Sequence, residues 1–86
     1  MLDYRVITFM KVCETLNFTQ AAKELHITQP AVTKHVKTLE TEYQTKLFTF
    51  SGKQCQLTQS GKELLDLLTT MDTDIKHFKT QLKQDL

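Results

Sequence analysis

The sequence predicts a mainly α domain with one small β-hairpin and a long closing helix. Three observations predict it. Apolar residues recur at three- and four-residue steps through most of the chain. That period breaks once, around Gly52, where two short alternating runs face each other. The last apolar stripe, finally, runs over more turns than the rest of so short a chain could cover.

The first helix is expected from about Asp3 to Leu16, with Val6, Phe9, Met10 and Cys13 on one buried face. Asn17-Phe18-Thr19 interrupts it. Asn17 or Thr19 can cap a second, short helix ending at Leu25, and Asn17 with Gln20 has capping-box spacing. Ala21 and Ala22 are small enough to let another helix approach closely. His26-Ile27 leads to Thr28, a good cap for a third helix, and Pro30 suits that helix's first turn because its missing N–H had no helical partner. Val32, Val36, Leu39 and Tyr43 form an apolar stripe along this helix, at 29–43. The opposite face shows Gln29, Pro30, Thr33, Lys34 and Lys37, with no acid before Glu40.

Leu47–Phe50 and Cys55–Thr58 read as strands joined by Ser51-Gly52-Lys53-Gln54, where Gly52 can take a positive φ. Helix resumes after Thr58, with Ser60 and Glu63 at capping-box spacing. Leu64, Leu68, Met71, Ile75, Phe78 and Leu82 then alternate four- and three-residue steps, a heptad seam on a helix about 40 Å long. A domain of residues 1–58 cannot cover a helix of residues 59–86 along its whole side, so the distal half of the seam is expected at an interface.

Composition narrows the function. With 40% hydrophobic and 24% charged residues the chain is globular rather than disordered. No apolar run reaches the roughly 20 residues of a membrane span, and the amino terminus lacks a secretion-signal layout, so a cytoplasmic protein is expected. Cys13 and Cys55 have no partner at metal-ligand spacing, and His26, His35 and His77 are scattered. Reduced thiols packed as small apolar groups are expected, with no metal and no cofactor. An enzyme is not expected. There is no Ser/His/Asp set or carboxylate pair, and two glycines cannot build a phosphate loop. Charge is uneven: residues 1–25 are neutral, 26–62 carry +3 and 63–86 carry −2.

Helix, short helix, three-residue turn, helix, hairpin and long helix make a winged helix-turn-helix. One helix of that arrangement fits the major groove while a crossing helix braces it and the hairpin reaches the adjacent minor groove. The stretch from Asn17 to Glu40, with Phe18-Thr19-Gln20-Ala21-Ala22, Gln29-Pro30-Ala31 and Leu39-Glu40 in register, resembles the signature of LysR-type transcriptional regulators. Lys46-Leu47-Phe48 and Leu57-Thr58-Gln59-Ser60-Gly61 fit that family's wing and the start of its linker helix.

The resemblance implies a cytosolic bacterial regulator that binds roughly palindromic double-stranded DNA. It implies a homodimer through the linker helix and tetramers in the full-length protein. It also implies a small-molecule effector bound by a C-terminal domain absent from this chain. Three positions depart from the family pattern. Gln44 replaces the usual glycine after the third helix, Phe50 replaces an arginine two residues after Leu47-Phe48, and Lys53 stands where arginine is common.

Within this frame Gln29 offers a bidentate amide to adenine, or else caps or simply solvates the helix end. Pro30 presses a thymine methyl, fixes the first turn, or does both. Thr33 and Lys34 complete the expected base-reading face. Thr19, Gln20, Thr28, Lys37 and Lys53 are the expected phosphate or minor-groove contacts. His35 borders the buried stripe and packs there more readily than it reads DNA. Leu64, Leu68, Met71, Ile75, Phe78 and Leu82 are the expected dimer interface. The alternative is a winged-helix protein-interaction module without base readout.

Overall fold

The computed structural model describes residues 3–52 and 54–84. They form α1 (Tyr4–Thr15), α2 (Phe18–Leu25), α3 (Gln29–Tyr43), β1 (Phe48–Ser51), β2 (Gln54–Leu57) and α4 (Gln59–Gln84). Lys53, expected at the wing tip, lies outside the described residues.

Side-chain caps start each helix. Asp3 accepts from the N–H groups of Arg5 (2.9 Å) and Val6 (3.1 Å), opening α1. Asn17, not Thr19, caps α2 by accepting from Gln20 N–H at 2.9 Å. The capping box stays half-made, because the Gln20 amide reaches forward to Glu24 (3.1 Å). Thr28 accepts from Ala31 N–H at 3.2 Å and opens α3 with Pro30 in its first turn. Thr58, rather than Ser60, opens α4. Its hydroxyl accepts from Gly61 N–H (3.0 Å) and donates to the Lys46 carbonyl (2.6 Å), so one side chain starts the helix and anchors the incoming loop.

α1, α2 and α3 all exit through a non-glycine residue in the left-handed region: Leu16 (φ 52°), His26 (φ 58°) and Gln44 (φ 53°). At Gln44 the helix-closing bonds form despite the missing glycine. Its N–H and that of Thr45 donate back to the last turn, Thr45 to the Glu40 carbonyl at 3.1 Å.

The three short helices pack on one another, and the hairpin closes the end of their core. Phe9, Val12, Val32, Leu39 and Leu47 are all essentially inaccessible there. Ala21 and Ala22 are buried, leaving room for the close approach of α2 to its neighbours. Three aromatic rings chain α1 and α2 to the hairpin, Phe9 to Phe48 at 5.5 Å and Phe18 to Phe48 at 5.7 Å. Two corrections concern the buried faces. Val12 and Thr8 are buried on α1, where Met10 and Cys13 are only half-buried, and Tyr43 is exposed because α3 has passed the edge of the core by its last turn.

β1 and β2 pair antiparallel, Phe48 with Leu57 and Phe50 with Cys55; β1 lies one residue later than expected and β2 one residue earlier, so the pair sits closer to the turn. The hairpin is tied to the helices at two points, one near its turn and one at its base. Cys55 N–H donates to the Leu16 carbonyl at 3.1 Å, and Leu47 N–H donates to the Glu40 carboxylate at 2.8 Å. α4 then runs 26 residues, about 39 Å, out of a molecule 51 Å long. Leu68 is buried in the chain's own core and Leu64 packs against it, so neither needs a second chain to leave water. Beyond them Ile75 is half-buried, while Met71, Phe78 and Leu82 are exposed.

Candidate nucleic-acid interface

The polar side of α3 faces away from the core, opposite buried Val32, Val36 and Leu39. Gln29, Pro30, Lys34 and Lys37 are exposed and Thr33 is half-buried. Hollows open on both sides of this ridge. One, of 660 Å³, is lined in part by Pro30, Thr33, Lys34 and Lys37. The other, of 510 Å³, brings Gln29 and Thr33 together with Thr19 and Gln20 of α2 and with Phe50 and Gly52 of the hairpin. Thr33 therefore stands where both hollows meet. Gln29 donates its amide N–H to Thr33 Oγ1 at 2.9 Å, which holds both side chains ordered along the helix edge.

Two expected contacts change character. Thr28 spends its hydroxyl oxygen on the α3 cap and lines neither hollow. Thr19 gains, because Asn17 supplies the α2 cap and leaves the Thr19 hydroxyl at the surface beside the hollow. His35 does pack. Thr8 gives its hydroxyl proton to the Tyr4 carbonyl (2.9 Å), so its oxygen accepts from His35 Nδ1 (2.8 Å), and the Tyr4 ring meets the imidazole edge-on at 4.8 Å.

The electrostatics follow from which acids are already engaged. Glu42 pairs with Arg5 at 3.1 Å, Glu24 with Lys11 at 3.4 Å, and Glu40 accepts the Leu47 N–H. The Glu24 carboxyl is held below the usual range by the hydrogen bond from Gln20 and then by Lys11. Lys34 and Lys37 make no ion pair among the described residues, nor do Lys23 and Lys46, which line the neighbouring hollows. Four lysines thus surround α3 with their charge unspent, the footprint a polyanion would meet. Neither Lys23 nor Lys46 stood out in the sequence as a contact: Lys23 lies in the neutral first segment, and Lys46 showed only as part of the basic middle segment and of the Lys46-Leu47-Phe48 match.

Burial pushes the Cys13 thiol up to about 12, with Cys55 adding to it, and burial raises Cys55 too. Both stay protonated and serve as packing. Among the described residues no group of three or more His, Cys, Asp or Glu is placed to hold a metal, and no helix is long and apolar enough to cross a membrane.

The model of the bacterial regulatory helix-turn-helix proteins of the lysR family matches residues 5–62. The chain belongs to this family. Similar proteins include the uncharacterized HTH-type transcriptional regulator YoaU of Bacillus subtilis, 50% identical over 64 residues, or 73% of this chain and 22% of its own length. The crystal structure of a LysR-family transcriptional regulator from Eggerthella lenta is 52% identical, with a TM-score of 0.74 over 80% of this chain and 99% of that one. The CbnR_DBD–DNA complex superposes with a TM-score of 0.82 at 25% identity, covering 96% of this chain and 95% of that one. The chain spans less than half the length of the curated relatives it matches.

Proposed function

We propose that this LysR-family domain binds double-stranded DNA sequence-specifically, with the polar face of α3 in the major groove and the hairpin at the adjacent minor groove. One observation carries the reading: Gln29, Pro30, Thr33, Lys34 and Lys37 form a single solvent-facing ridge between two hollows, while the acids around it are engaged elsewhere. Gln29 and Thr33, with Pro30 beside them, meet base edges. Lys34 reads a guanine edge or a phosphate. Lys37 and the amino end of α2, at Thr19 and Gln20, meet phosphates, and Lys53 enters the minor groove from the wing. Thr28 starts α3 by accepting the Ala31 N–H, and its remaining hydroxyl proton faces solvent, where it can meet a phosphate.

Two copies joined through Met71, Ile75, Phe78 and Leu82 present two such ridges to a roughly palindromic site. The reading is of a cytoplasmic transcriptional regulator and not of an enzyme. The relatives named above are regulators of the same family, and the two hollows beside α3 are open, solvent-facing surfaces rather than enclosed reaction sites.

A salt series of mobility shifts tests it. Lys34→Ala flattens the slope of log affinity against log salt by about 0.9, one phosphate contact, whereas Lys79→Ala on the far part of α4 leaves it unchanged. Equal slopes for both variants would remove Lys34 from the interface.

A further inference from the structure

Phe50 is 66% exposed, more than any other large hydrophobic residue among those described. It lies on the core-facing side of β1, opposite buried Cys55, but near enough to the hairpin tip to overhang the core. Phe18 holds it from beneath, ring to ring at 5.3 Å and 55°. The ring lines the hollow that contains Gln29, Thr19 and Lys23, and also a hollow of 370 Å³ between α3 and the hairpin that contains Lys37 and Lys46. A ring held by Phe18 is thus left open to water between hollows lined by Lys23 on one side and by Lys37 and Lys46 on the other, where Glu40 is already engaged with the Leu47 N–H.

We propose that Phe50 is a DNA-contacting residue whose ring packs on the deoxyribose carbons of the strand passing between α3 and the hairpin. The inference rests on the DNA-binding reading above and deepens it. A strand crossing this gap brings phosphates to Lys37 and Lys46 on one side and to Thr19 and Lys23 on the other. What it presents between successive phosphates is the C–H surface of a sugar. Charged oxygens gain nothing from a phenyl ring there, whereas sugar carbons remove it from water. The ring has only two rotatable bonds, and the strand pairing and Phe18 already restrict it, so ordering it on binding costs little. The lysines around it choose a polyanion over an apolar protein partner.

The contact is apolar, so it adds affinity without releasing a counterion. The test uses the whole chain and duplexes recovered from a random-sequence pool by binding to it. Phe50→Ala weakens binding about tenfold, the scale of re-exposing most of a phenylalanine ring. It does so equally on every duplex and at every salt concentration, so the salt slope stays where it was. Phe50→Arg steepens the slope by about 0.9. Hydroxyl-radical cleavage, which reports the exposure of deoxyribose hydrogens, shows sugars protected by the native chain and opened by Phe50→Ala.

Affinity of Phe50→Ala within about twofold of the native chain, or unchanged sugar protection, overturns the proposal. Should Phe50→Ala melt too low to assay, Phe50→Leu against Phe50→Gln decides. Leucine binding several-fold tighter supports the contact, and equal affinities overturn it. A native chain that selects and retards no duplex at all sinks the DNA-binding reading itself, a different result from native binding that is indifferent to Phe50.

Discussion

Gly61, the third residue of α4, is the point where the long helix presses hardest on the winged unit. A Cβ built there falls well inside contact distance of the Leu47 carbonyl oxygen and 2.8 Å from Leu57 Cδ2. The Leu57 methyl can swing aside, but the Leu47 carbonyl cannot. It accepts the Thr58 N–H at 3.0 Å, and the N–H of the same residue is held by Glu40. Gly61→Ala therefore sets two effects against each other. Alanine gains at most about 1 kcal/mol of helix propensity. Forcing a methyl into packed backbone costs about 1–3 kcal/mol, and straining the Thr58–Leu47 hydrogen bond costs about 1 kcal/mol more. The steric effect wins by roughly 2 kcal/mol, which lowers Tm by about 8–16 °C in a chain of this size. Thermal unfolding followed by far-UV circular dichroism reads the shift. A Gly61→Ala chain that melts at or above the native temperature would refute the reasoning, because it would mean α4 does not approach Leu47 closely.

Gln44→Gly relieves a left-handed residue at the α3 exit, and after the greater freedom of unfolded glycine it should still gain roughly 0.5 kcal/mol. A rise in Tm of a few degrees checks it, and a fall contradicts it. The two thiols should resist a thiol reagent at mildly alkaline pH in the folded chain and both react after denaturation, since burial holds Cys13 near 12 and raises Cys55. Rapid labelling of the native protein would show that they are not packed as described. Ile75→Asp or Phe78→Asp should convert a dimer to a monomer in sedimentation while leaving the melting of the winged unit in place. An unchanged sedimentation coefficient would rule out the distal seam as the contact.

What the sequence disclosed, and what it hid, divides along a physical line. α3 was legible in its bounds and, up to Leu39, in its buried side because its signals are local: Thr28 and Pro30 start it, and the Val32–Val36–Leu39 stripe fixes which side is buried, whereas Tyr43 lies beyond the edge of the core. Its polar face followed as the complement of that stripe. Features set by distant partners were not legible. Val12 lies off the expected α1 face, and Thr8 is buried because it meets His35, 27 residues away. Thr58 displaced Ser60 as the α4 cap because its hydroxyl also anchors the Lys46 carbonyl, a contact no local pattern encodes. Glu40 looks in sequence like the first acid to interrupt a basic face, yet it spends its carboxylate on the Leu47 backbone. The distal half of the α4 seam was legible from helix length alone, and the exposed part does begin near Met71; that the core claims Leu68 and Leu64 from the full seam needed coordinates. Phe50 stood out only as a departure from the family pattern, and its exposure beside Lys23, Lys37 and Lys46 needed coordinates.

Sequence-specific binding requires the ridge of α3 to tell one base pair from another. The direct measurement is the affinity of the native chain and of Gln29→Ala for a selected duplex and for its full set of single-base-pair replacements. The native chain should penalise replacement at one position by about 1–3 kcal/mol more than Gln29→Ala does, with all other positions ranked alike by the two proteins. Parallel profiles, in which Gln29→Ala keeps the native preference at every position, would contradict it.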